Sequence, residues 1–179
     1  MADNMKYRAG WRIDRFKDED GSIAKRLQAG ESLDKILKEQ AGSHLGTDRI
    51  DGNLALNEGI QHMIDLICGL NGASVLWNEA NAHIGVGDSG VDVTADQTGL
   101  QAVTNYLYKA MDTGYPSRAG QIAEWRATYG PTEANYTWNE YTVANGSTGT
   151  GKNLNRRVEN KGTKVLGETW TLALQMLWS

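Results

Sequence analysis

The chain has 179 residues, of which 40% are hydrophobic and 22% charged, and its formal net charge is -4. That length supports one domain with a full core and is too short for two, and the charge balance lacks the basic excess that holding a nucleic-acid backbone demands, so direct nucleic-acid binding is not expected. No apolar run reaches the roughly 20 residues of a membrane-spanning helix, and the N-terminus carries charges where a secretory signal needs its apolar segment, so the chain is expected to stay off membranes and in the cytoplasm where it is made.

The first 50 residues hold ten Lys/Arg and nine Asp/Glu but only three aromatics, whereas the other eleven aromatics lie beyond residue 70. From Lys6 to Asp20, Tyr7, Trp11, Ile13 and Phe16 are separated by charges and fit neither a helical nor a strand period, so this segment reads as an extended arm. The Asp18, Glu19 and Asp20 cluster within it is expected to be solvated. Next, Ile23 and Leu27, then Leu33, Ile36 and Leu37, give two short helical pieces divided by Gly30, with Ser32 as an N-cap. Their narrow apolar stripe must dock either on the chain's own domain or on a neighbouring subunit. Tyr7, Trp11, Ile13, Phe16, Ile23 and Leu27 are accordingly the candidate interface residues of an N-terminal arm, residues 1–52.

A stronger helix spans Asn53 to Leu70, where Leu56, Ile60, Met63, Ile64 and Ile67 form a broad apolar face and Gly69 offers a stop. It is expected to pack on the domain that it leads, residues 53–179, with Cys68 as a small core residue. A single cysteine permits no intrachain disulfide and no cysteine-based metal cluster, and His44, His62 and His83 share no ligand spacing.

Beyond residue 80 the period becomes two. In GQIAEWRATY, Ala123, Trp125, Ala127 and Tyr129 share the expected core face. EANYTWNEYTV continues with Ala134, Tyr136 and Trp138, then Tyr141 and Val143, with a bulge near Asn139 and Glu140 and GPTE as the hairpin turn between the two runs. TWTLALQMLW puts Trp170, Leu172, Leu174, Met176 and Trp178 on one face, so the last strand is expected to be central. With AHIGVG, NYLYKAM and LNRRVEN, about six strands give a mainly β chain, an antiparallel sandwich or barrel with one packed helix and the N-terminal arm.

Two stretches imitate nucleotide motifs. GSTGTGKN, Gly146 to Asn153, has the spacing of a phosphate loop but ends on Asn153 instead of Ser or Thr and precedes no helix; GVGDSG, Gly85 to Gly90, has the dinucleotide spacing but leads into a β-branched, turn-like run. Both read as turns, and neither a cofactor nor a metal is expected. Asn135 and Asn145 match glycosylation acceptors without a secretion signal, and no Ser/His/Asp or Cys/His set is brought together by the sequence, so no catalytic residue is assigned.

The blocks NLALNEGIQHMIDLICG, NEANAHIGVGDS, ADQTGLQA, YKAMDTGYP, WRATYGPTEANYTWNEYTV, LNRRVENKGTK and TWTLALQM, in this order, resemble a group of small β-rich virion structural proteins of tailed bacteriophages, over roughly residues 53–179. The resemblance implies a particle component without catalysis, located in the virion and assembled in the host cytoplasm. The expected role is a capsid decoration (cement) protein, homo-oligomeric, bound to the major capsid protein or to other virion proteins. A neck, tail or fibre-attachment protein is the alternative; a glycan-binding sandwich using Trp77, Tyr108 or Tyr115 is a more distant one.

Overall fold

The structure, a computed structural model, describes residues 7–147 and 151–178. Its elements are β1 (Tyr7–Lys17), α1 (Ser22–Gln28), α2 (Leu33–Glu39), β2 (His44–Asp51), β3 (Leu54–Ala55), α3 (Asn57–Cys68), β4 (His83–Gly87), β5 (Tyr106–Ala110), β6 (Ser117–Ala119), β7 (Ile122–Tyr129), β8 (Glu140–Ala144), β9 (Asn155–Val158) and β10 (Glu168–Trp178). They form two five-stranded antiparallel sheets, in the orders β2-β1-β10-β7-β6 and β3-β9-β8-β4-β5, that are not closed into a barrel. The chain is therefore mainly β, with its core between two sheets.

The inner faces follow from period-two alternation. Trp11 and Ile13 of β1, Trp125, Ala127 and Tyr129 of β7, and Trp170, Leu172, Leu174 and Met176 of β10 meet Ile84 and Val86 of β4 and Tyr141 and Val143 of β8. Trp138 is fully buried at the centre of an aromatic cluster, with edge-on rings of Tyr129 and Trp170 at 4.8 Å. Two of the core aromatics place their polar tips on backbone acceptors: the Tyr129 hydroxyl donates to Ile84 O at 2.7 Å and the Trp138 indole to Ala134 O at 3.0 Å.

The arm expected over residues 1–52 is corrected by this arrangement. β1 pairs with β10 along its whole length, from Tyr7↔Trp178 to Lys17↔Glu168, and with β2 on its other side, so a boundary at residue 52 would cut a continuous sheet. Trp11, Ile13, Phe16, Ile23 and Leu27 are all at most 3% exposed, which makes them core residues of their own chain rather than free anchors. The period was hidden because both faces of β1 are covered. Arg15 takes a place on the inner face, stacked over Trp170 at 4.5 Å, while Phe16 points the other way into a second cluster with Ile23, Leu27 and Ile36 of α1 and α2.

Helices α1 and α2 thus cap one half of the outer face of the first sheet. Asp18, expected to be solvated, is 3% exposed and accepts the amides of Ile23 and Ala24 and the Thr169 hydroxyl, tying the start of α1 to β10. Arg126 of β7 reaches the other end of α1, donating to the carbonyls of Leu27 and Glu31 while paired with the buried Asp112 at 2.8 Å. Burial is the main influence on Asp112 and raises its pKa against the pull of Arg126 and Thr128.

Over the second sheet, the long connection 88–105 is sewn down by an ion pair. Glu140 and Arg156, both fully buried, meet at 2.7 Å; Glu140 accepts the amides of Gln101 and Ala102, and Arg156 donates to Val91 O and the Gln97 side chain. Two details of the sequence reading change here. The run EANYTWNEYTV is strand only from Glu140, and GPTE is not a hairpin turn, because the chain crosses at that point from β7 in one sheet to β8 in the other.

Candidate protein-docking surface

The two glycine stretches resolve first. Gly85 and Gly87 are part of β4, where an added Cβ would come within 2.7 Å of the Tyr108 ring and 2.5 Å of Glu140 Oε1, so these glycines admit the close packing of β5 and of the 88–105 connection. In GSTGTGKN, Gly146 and Gly151 pass so closely that a Cβ on Gly146 would lie 2.9 Å from Gly151 Cα, closing the base of the β8–β9 loop; Thr148 to Thr150 fall outside the described residues. Lys152 is exposed and lies 3.8 Å from Glu58. Among the described residues, neither stretch presents amides at a helix start.

The chemistry-bearing side chains are dispersed. His44 faces Thr47, His62 contacts Val75 O and His83 contacts Asn81 O. Among the described residues, no group of three or more His, Cys, Asp or Glu comes together to hold a metal, and no helix is long and apolar enough to cross a membrane. Of the three aromatics considered for glycan contact, Trp77 donates its indole to Lys152 O and packs edge-on against His62, and Tyr115 lies under the Arg126 guanidinium. Tyr108 donates to Asn153, and burial pushes its phenol up to about 12.

What the surface does offer is α3. Leu56 at its start is fully buried and Gly59 presses on the Asn153–Leu154 backbone, so one side of the helix is seated against β9. The neighbouring stripe is open: Ile60 is 38% exposed, Ile64 49% and Ile67 79%, and Leu70 just beyond is 49% exposed. The expected packing of this whole face is thus corrected, as is that of Cys68, which is exposed. At 100° per residue, Ile60, Ile64 and Ile67 fall on one line whereas Leu56, Gly59 and Met63 fall on the next, so a helix apolar on both flanks can use only one of them for its own domain.

Beside the stripe, Ala55, Ile60, Met63, Leu154, Met176 and Trp178 line an open cavity of about 210 Å³. It sits where α3 crosses the end of the sandwich. On the far flank of the helix, Val75 and Leu76 are also exposed. The electrostatic setting is one-sided: residues 50–108 contain seven Asp/Glu and no Lys or Arg. Asp65, Asp88 and Asp96 are held by the amides of Asn71, Asn105 and Asn57, which orient a carboxylate without neutralising it. Sequence reasoning found the apolar residues of α3 but could not tell which of them the sandwich would cover. Comparison of the chain with protein-family models, with curated proteins and with solved structures finds no match in any of the three.

Proposed function

We propose that the chain is a non-enzymatic structural subunit of a tailed-phage virion, a capsid decoration protein that attaches to the head lattice through α3. The observation that carries the reading is the open Ile60, Ile64, Ile67 stripe beside an apolar cavity. Large exposed apolar patches bordered by polar residues mark protein-binding surfaces, and each large side chain buried on docking contributes roughly 1.5 to 3 kcal/mol of gross stabilisation. The resemblance of residues 53–179 to phage virion proteins supplies the particle, and α3 takes over the attachment role first expected of the arm. Immunogold labelling of intact virions with antibody against the folded chain tests this. Label over the head is the expected result; label confined to the neck, tail or fibres would move attachment there, and unlabelled particles would overturn the reading.

A further inference from the structure

We propose that the outer face of the first sheet carries a binding site for a small carboxylic acid, whose carboxylate is held by Arg8, Arg12 and Arg49 over Gly10 and whose compact apolar body lies on Leu177 and Ile122. The site is independent of the α3 surface, because Met176 and Trp178, which line the α3 cavity, belong to the other face of β10. Strand register builds it. Arg8, Gly10 and Arg12 share one face of β1; on β2, Arg49 stands opposite Arg12 and Asp51 opposite Gly10, and on β10, Leu177 stands opposite Arg8. Ile122 of β7 pairs with Leu177. Around the bare Gly10 these side chains leave an open pocket of about 300 Å³, away from the Phe16 cluster that α1 and α2 cover.

Three observations give this pocket a ligand. Like charges directly opposite each other destabilise a strand pair, yet Arg12 and Arg49 are in register, and Arg8 lies about 7 Å beyond Gly10 on the same face. Charges that guard an edge strand account for Arg49 on β2 but not for Arg8 and Arg12, since β1 lies inside the sheet. The arginines also differ in what holds them. Arg12 is fixed by the buried Asp14, 2.6 Å from its Nε, and Asp14 in turn accepts the Thr47 hydroxyl; the exposed Arg8 and Arg49 guanidiniums have no partner among the described residues. Finally, nothing in the chain requires glycine at position 10. Its φ is not positive and an added Cβ would come no closer than 3.4 Å to Ile50 O, so the missing side chain leaves space, as a strand glycine does where a ligand approaches the backbone.

Charge and shape set the class of ligand. Three guanidiniums against Asp14 and Asp51 leave one net positive charge, which a monocarboxylate balances. The planar guanidinium fork suits a carboxylate, and the apolar end of the pocket at Leu177 and Ile122 receives the rest of the molecule.

The test titrates the full, isotope-labelled chain with sodium benzoate at constant ionic strength, following backbone amide and arginine Nε resonances by NMR. Saturable shifts centred on Arg8, Gly10, Arg49 and Leu177 are expected. Benzyl alcohol, which keeps the ring without the charge, and inorganic phosphate, which keeps a charge without the ring, should each bind at least about 10-fold more weakly. Arg8→Gln with Arg49→Gln should weaken benzoate by at least about 10-fold at unchanged Tm, since both side chains are exposed. Gly10→Ala fills the floor and should weaken benzoate a few-fold without lowering Tm, which separates a ligand role from a packing role. Shifts that do not saturate, benzyl alcohol or phosphate binding as well as benzoate, or unchanged affinity in either variant would each overturn the proposal.

Discussion

Asp18 shows how a single residue couples the first strand, the first helix and the last strand. Its carboxylate receives two helix amides and the Thr169 hydroxyl while almost fully buried. Asp18→Ala removes all three hydrogen bonds and should cost about 2 to 3 kcal/mol, read as a fall in Tm of about 4 to 12 °C for a chain of this size. Lys164 sets a pH dependence. It is fully buried with its ammonium donating to Gly130 O and Asn135 Oδ1, and burial lowers its pKa from 10.5 to about 8. Between those values the unfolded chain holds the proton that the folded chain has released, so this residue's contribution to stability rises with pH across that window and is lost as pH falls through about 8. Buried Tyr129 and Tyr141 and half-buried Tyr136 act oppositely, because burial raises their phenol pKa values above 10, and stability falls once the unfolded phenols ionise. Thermal unfolding followed from neutral to alkaline pH should therefore peak near about pH 10, and Lys164→Met should flatten the rising limb; a monotonic fall from neutrality would contradict this.

At the scale of elements, α3 and the 88–105 connection are each fixed by one close approach. A Cβ on Gly59 would meet Asn153 O at 2.6 Å and Leu154 Cα at 2.7 Å, both backbone atoms that cannot swing aside. Helix propensity alone would make Gly59→Ala stabilising by about 1 kcal/mol; the contact instead predicts a loss of about 1 to 3 kcal/mol in chemical denaturation as α3 is lifted from β9. Arg156→Met leaves Glu140 as an unpaired buried charge and should cost about 3 to 5 kcal/mol, accompanied by faster proteolysis around residues 91–97, which lose the Arg156 bonds to Val91 and Gln97. Much of this level was legible beforehand. The two short helices around Gly30, the Gly69 stop of α3, and the strands β4, β5, β7, β9 and β10 follow from apolar period and turn residues; β7 and β10 keep their alternation although both faces are covered, because polar Arg126, Thr128, Thr169 and Thr171 occupy the second face. β1 and β2 were not legible for opposite reasons. β1 is covered on both faces, so Arg15 and Phe16 break its alternation, while β2 is an edge strand whose Ile50 is buried and whose Leu45 is 53% exposed.

For the whole molecule, the pairing of β1 with β10 puts the first and last described strands side by side in the middle of one sheet. Closing the fold therefore waits on contacts between residues far apart in sequence, which makes folding slow relative to a helical protein of this length. The same closure buries Trp11 and Phe16 in the chain's own core, and the attachment surface proposed above is the α3 stripe beside the second sheet. The apolar residues of that site were visible in the sequence; their exposure was not, because a helix that is apolar on two flanks carries the same pattern whether one flank or both are covered. Attachment of the chain to the phage head through the α3 stripe is the role proposed above. It is tested most directly by cosedimentation of wild-type and I64D/I67D protein with heads that lack it, after matching circular dichroism and Tm have established that both are folded. The wild type should bind saturably and the variant should lose at least about 100-fold, from two apolar contacts replaced by buried charges. Equal binding of the two proteins would contradict it.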